Sequence, residues 1–200
     1  MVPDSGDATC DETGGDRLRR LATYASVGVA LTLIVAKLAA YVLTGSVSLL
    51  SSLIDSSTDL LASAVTLFGV RHAMRPPDRS HRFGHGKAEP LAALAQAAFV
   101  TGSAVFLSYE AVNRFVRPEP IREGWIGIAV MVLAIVLTLA LVAYQRHVVR
   151  RTGSVAIDAD SLHYRGDLFI NLAVIAVLLL SRFSQWPYFD PLFAVAIAAF

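Results

Sequence analysis

Long apolar runs separated by short polar breaks constrain this chain more than any other feature. Leu21–Leu43 carries a single charge, Lys37. After the break Thr44-Gly45-Ser46, a second run spans Val47–Val70. Residues 71–87 are charged and broken by Pro76 and Pro77, and the alanine-rich run Ala88–Val112 follows. Pro118 and Pro120 mark the next break, before Gly124–Tyr144. A fifth run begins near Ala159 and ends near Leu180, and a sixth, from about Phe189, is still apolar at Phe200. A helix needs about 20 apolar residues to cross roughly 30 Å of hydrocarbon. The pattern therefore predicts an all-α polytopic membrane protein, a bundle of six transmembrane helices with the sixth truncated at Phe200. A run that stops inside the bilayer also leads us to expect a fragment of a longer protein, with a soluble remainder beyond it.

Composition agrees with a bilayer as solvent. Charged residues make up 16% of the chain and hydrophobic ones 55%, where a soluble domain carries roughly 25% charge. The formal net charge of +1 offers no broad basic field, which excludes a nucleic-acid partner. Cys10 is the single cysteine, so no intrachain disulfide can form. Residues 1–16 are polar and acidic, and residues 1–20 read as a disordered cytoplasmic tail. No secretory signal precedes the first run, which is too long for a signal core and lacks a small-residue cleavage site.

Lys and Arg in the short loops set the orientation. With the N-terminus inside, Arg17, Arg19, Arg20, Arg71, Arg75, Arg79, Arg82, Lys87, Arg146, Arg150 and Arg151 face the cytoplasm. Only Arg114, Arg117, Arg122 and Arg182 face out. The N-terminus is thus expected to be cytoplasmic. Trp125, Trp186 and Tyr188 fall at the expected outer ends, where interfacial aromatics belong. Small residues on the third run, among them Ala92, Ala97 and Gly102, suit close helix packing.

Two runs contain charges that lipid does not tolerate. Asp55 and Asp59 lie within the second, and each costs about 2.5–3.5 kcal/mol at mid-bilayer on insertion scales. Their i, i+4 spacing puts both carboxylates on one helix face. Bare, they repel each other; a bound cation removes both penalties. The fifth run repeats the spacing with His163 and Asp167. Two helices offering two ligands each can close a tetrahedron, and three carboxylates with one imidazole suit zinc, cadmium or another borderline divalent ion. The alternatives for these four residues are a buried polar cluster that fixes helix packing and a lining of protonated carboxyls. Asp158 and Asp160, at the start of the fifth run, read either as a cation lure or as solvated helix-end acids. The loop Asp78-Arg-Ser-His81-Arg-Phe-Gly-His85-Gly86-Lys87 offers Asp78, His81 and His85 as ligands for a second metal, with Gly84 and Gly86 allowing a tight turn.

Three strings carry a resemblance. Thr44 through Asp59, His81-Arg-Phe-Gly-His85-Gly-Lys-Ala-Glu89, and Leu162-His163-Tyr-Arg-Gly-Asp167 are similar to the cation diffusion facilitator family, in order and across all six runs. The Asp-Asp/His-Asp combination resembles the bacterial zinc, cadmium and iron exporters. The resemblance implies a transport site at Asp55, Asp59, His163 and Asp167 and a loop site at Asp78, His81 and His85. It also implies a homodimer in the bacterial inner membrane, with Lys87 in a salt bridge that locks the dimer. A cytoplasmic metal-binding domain is expected after the sixth helix.

No Gly-x-x-x-x-Gly-Lys loop occurs, so an ATP-driven pump is not expected and an ion gradient must supply the energy. Metal ligands release protons on binding, which makes proton exchange the natural coupling, with His163 as main carrier and Asp59 beside it. The expected function is export of divalent cations, zinc foremost, in exchange for protons. A non-transporting metal sensor on the same fold, or a manganese- or iron-selective carrier, is the alternative. An intramembrane metalloenzyme is disfavoured, because neither His-Glu-x-x-His nor Gly-x-Ser-x-Gly is present.

Overall fold

The computed structural model describes residues 5–45, 47–116 and 125–183. All its elements are helices: α1 Ser5–Thr44, α2 Val47–Ala73, α3 Ala88–Val116, α4 Trp125–Thr152 and α5 Val155–Phe183. In lipid every backbone N–H and C=O must pair within its own segment, and a helix does this alone. Among the described residues, four helical stretches are long and apolar enough to cross a membrane, namely Gly14–Thr44, Ser52–Ala73, Ala88–Phe106 and Trp125–Thr152. The first half of α5 carries Asp158, Asp160, His163, Arg165 and Asp167. The expected sixth helix, with Trp186 and Tyr188, lies outside the described residues.

Two helices extend far beyond their apolar runs. α1 is helical from Ser5, through residues whose composition suggested a disordered tail. Once a helix is nucleated each added residue gains a bond, and no proline interrupts the chain between Pro3 and Pro76. α4 continues past Tyr144 through the basic stretch to Thr152. Arg150 and Arg151 in its last turn complement the negative end of the helix dipole.

Glycine ends two of the helices. Gly45 and Gly153 have φ of 64°, a left-handed conformation open to glycine without penalty. Their amides bond Tyr41 O at 2.7 Å and Val149 O at 2.8 Å, closing the last turns of α1 and α4. Ser154 then caps α5, its Oγ accepting from Ile157 N at 3.4 Å.

The helices form a ring. α1 packs on α2 and α4, α2 on α3, α3 on α5, and α5 on α4, with a further contact between α2 and α5. Two apolar clusters fill the spaces between helices: Ala22, Val70, Ala92, Val148, Ala156 and Ile157 make one, and Leu141, Val142 and Tyr164 make another. At Gly69 an added Cβ would stand 2.3 Å from Ala92 Cβ, so α2 and α3 touch backbone to backbone. Elsewhere on α3 the expected small-residue stripe is exposed at Ala97, Ala98 and Gly102. The outside of the ring is apolar, with Val35, Leu43, Leu61, Phe68 and Leu94 all more than 60% exposed. Its inside mixes the two apolar clusters with buried polar side chains such as Ser26, Thr66, Gln96 and Gln145, which suits a lipid surround.

Candidate metal centre

The contact between α2 and α5 lies where the sequence placed its charged pairs. Asp59 on α2 and His163 on α5 are both buried, and His163 Nε2 stands 3.0 Å from Asp59 Oδ1. The same nitrogen is 3.8 Å from Asp167 Oδ2, one turn further along α5. One donor atom from each of Asp59, His163 and Asp167 lies within 4.8 Å of the others. Asp167 Oδ2 is buried without a hydrogen-bond partner. A buried orphan acceptor is costly unless something positive meets it, so this donor set fits a divalent cation. Asp55 is not one of the three converging donors. It lies one turn before Asp59, is more exposed, and lines the same cavity of about 750 Å³ with Ser52, Ser56 and Lys37.

A polar network that the sequence did not announce lies beside this centre. Asp160 is 1% exposed, so it is no solvated helix-end acid; Asp158, two residues earlier, is exposed. Asp160 Oδ2 accepts from Ser26 Oγ at 2.7 Å and from Gln145 Nε2 at 2.7 Å. Its Oδ1 accepts from Gln96 Nε2 at 2.6 Å, and the same amide donates to Thr66 Oγ1 at 3.0 Å. One carboxylate thus ties α5 to α1, α3 and α4, and through Gln96 to α2. Tyr164 adds to it, sharing a 2.8 Å hydrogen bond with Ser63 Oγ. His163 is therefore flanked by residues that fix the rotation of α5. Membrane-embedded Gln and Asp were the available signal, but spacing along the chain does not reveal which helices they face.

The loop between α2 and α3 gathers the second set. Asp78 Oδ1 accepts from the backbone N–H of His81 at 2.6 Å and of Ser80 at 2.9 Å. These bonds, that of His81 foremost, favour the ionised form and lower the Asp78 carboxyl to about 2. His81 Nδ1 lies 3.2 Å from Asp78 Oδ1, and His85 Nε2 lies 3.5 Å from Asp78 Oδ2. Asp78, His81 and His85 form the second group of donors within 4.8 Å of one another. The tight turn uses Gly84, at φ 78°, while Gly86 has no positive φ. Sequence reading missed His72, whose ring meets that of His85 edge-on at 4.7 Å. Lys87 is exposed just before α3.

Comparison with known proteins bears on the family. Residues 23–200 match the family model described as the cation efflux transmembrane domain. The cation-efflux pump FieF of Shewanella oneidensis is 50% identical over 181 residues, 90% of this chain and 61% of that protein. Proteins of the same name from Klebsiella pneumoniae and Salmonella arizonae are 46% and 44% identical over 184 residues, 92% of this chain and 61% of each. The chain thus spans about 61% of the length of these relatives. With nearly the whole chain matched and five described helices ringed around paired carboxylates and a histidine, this multi-pass membrane protein belongs to the cation efflux (cation diffusion facilitator) family.

Proposed function

We propose that this chain forms the transmembrane part of a secondary transporter that exports divalent cations, zinc foremost, from the bacterial cytoplasm in exchange for protons. One observation carries the reading: donor atoms of Asp59, His163 and Asp167 converge from two different membrane helices. Ligands shared between helices let a relative movement of those helices change access to the ion. Relatives named cation-efflux pumps support the direction of transport.

The ion sits among Asp59 Oδ1, His163 Nε2 and Asp167 Oδ2, and Asp55 joins by a side-chain rotation within the shared cavity. An imidazole nitrogen must be unprotonated to ligate, so metal and proton compete for His163 Nε2. Zinc accepts this mixed nitrogen and oxygen set in tetrahedral geometry. The orientation is N-terminus inside, from the excess of arginine in loops on that side. In this reading the α2–α3 loop faces the cytoplasm, and Asp78, His81 and His85 take a second ion there. The working form is a homodimer, with Lys87 at its interlock.

Zinc flux into proteoliposomes under an imposed pH gradient tests the proposal. Uptake should rise when protons can flow the opposite way, and should vanish in Asp59→Ala. Flux that ignores the pH gradient removes the exchange mechanism; no flux in the parent removes the transporter.

A further inference from the structure

The cavity beside the metal centre also holds a charge from a third helix. Lys37 on α1 lines it together with Asp55, Asp59, His163 and Asp167. The ammonium donates to Ser56 Oγ at 2.6 Å and to the Ser52 carbonyl at 3.1 Å. Both acceptors are on α2, each three residues before an aspartate of the pair. Lys37 is thereby fixed along the face that carries Asp55 and Asp59. It acts through space on Asp55, Asp59 and Asp167. Arg165 lines the cavity as well; Lys37 is set against the aspartate pair by its hydrogen bonds to α2.

A lysine at this depth is expensive, on the scale of about 2.5–3.5 kcal/mol. A neutral donor would tie α1 to Ser52 and Ser56 at less expense, so the positive charge itself calls for an explanation. The charge balance between the carboxylates and the cation hydrogen-bonded along their helix face supplies one. With the carboxylates ionised and the imidazole neutral, as metal binding requires, Asp55, Asp59 and Asp167 bring three negative charges and Lys37 one positive.

We propose that Lys37 is the fixed counter-charge of the metal centre, holding the cage at a formal charge of −2 so that one divalent cation leaves it neutral. The inference rests on the transport reading above and adds a determinant of ion valence and of release. Without Lys37, a bound divalent ion would leave one uncompensated negative charge in a poorly solvated site. The cage would then hold the ion more firmly. Among related variants, affinity differences reside mostly in the dissociation rate, and a carrier needs binding weak enough for the ion to leave. Lys37 thus trades affinity for turnover.

The test compares zinc affinity and zinc flux in the purified parent, Lys37→Gln, Lys37→Arg and Lys37→Cys. Affinity is measured in a His85→Ala background, so that the loop does not contribute, and the Cys variant also carries Cys10→Ser. Lys37→Gln should bind zinc roughly tenfold more tightly, as loss of a nearby like charge implies, and turn over correspondingly more slowly. Lys37→Arg should stay near the parent. Lys37→Cys treated with an ammonium-bearing methanethiosulfonate should return toward parental affinity and flux, whereas an uncharged reagent of similar size should not. Equal effects of the two reagents, or a Lys37→Gln variant with parental affinity and flux, overturn the proposal. If the Cys variant fails to insert, the Gln and Arg pair decides: equal behaviour of the two overturns it, and tighter binding by Gln alone supports it. A parent that neither binds nor moves zinc would instead overturn the transport reading.

Discussion

His163 Nε2 and Asp59 Oδ1 are 3.0 Å apart although 104 residues separate them in the chain. One belongs to α5 and the other to α2, so the pair reports directly on how those helices meet. Replacing Asp59 or Asp167 by Ala should abolish zinc flux while leaving the protein inserted, because removing an intramembrane charge favours insertion. Loss of a direct ligand should weaken zinc binding by more than the roughly 10–100-fold typical of residues that merely support one. Calorimetry in a His85→Ala background checks this, and parental affinity in Asp59→Ala would rule that residue out as a ligand.

Selectivity should follow the imidazole. His163→Asp converts the donors to oxygen alone, a set that suits manganese better than the present mixture. The ratio of zinc to manganese flux should fall. An unchanged ratio would place His163 outside the coordination shell.

Asp160 gives a stability prediction of graded size. Interhelical hydrogen bonds in membranes average about 0.6 kcal/mol, so three to one carboxylate are worth roughly 2 kcal/mol. Asp160→Asn keeps the shape but turns an N–H₂ toward at least one amide or hydroxyl donor, and should lower thermal stability in detergent moderately. Asp160→Ala leaves buried donors on Ser26, Gln96 and Gln145 short of an acceptor, at about 1–3 kcal/mol each where no other is found. It should be the more damaging of the two. Equal melting temperatures for all three proteins would contradict the network.

How much of this could be read in advance differed from residue to residue. Asp55, Asp59, His163 and Asp167 stood out because a charge in an apolar run is expensive, and their i, i+4 spacing fixed a shared helix face. Asp160 was misread because an acid near a helix start is usually wet; only the ring of helices reveals that α1, α3 and α4 close over it. Lys37 stood out in the sequence as a lone charge, but its contact with α2 depends on a packing angle no spacing encodes. His72 joined the loop histidines unseen for the same reason, across a turn of the chain.

Close packing of α2 on α3 predicts a matched pair of variants. Gly69→Ala forces its new methyl into Ala92, whose Cβ would be 2.3 Å away, and overpacking of this kind costs about 1–3 kcal/mol. Thermal stability should drop. Adding Ala92→Gly should recover part of the loss, less about 1 kcal/mol for a glycine within a helix. No recovery would mean that the two helices do not meet at these residues.

Acidification to pH 4 should leave the Asp78 turn of the loop intact. Asp78 has its carboxyl lowered to about 2. A depressed carboxyl stabilises the fold above its unfolded value near 4 and loses that contribution as pH falls toward 2. Between pH 7 and pH 4 Asp78 therefore stays ionised. The turn conformation should accordingly stay unchanged by circular dichroism over this range. Loop unfolding above pH 4 would contradict the assignment.

Only Gly153 and Ser154 separate α4 from α5, so the end of one helix and the start of the other stay close together wherever they swing. His163 and Asp167 lie on α5, Asp59 on α2 and Lys37 on α1. Under the proposed export cycle, a hinge that parted α5 from α2 would pull the donor atoms away from one another, and letting go of the cargo would be the same mechanical event as the stroke.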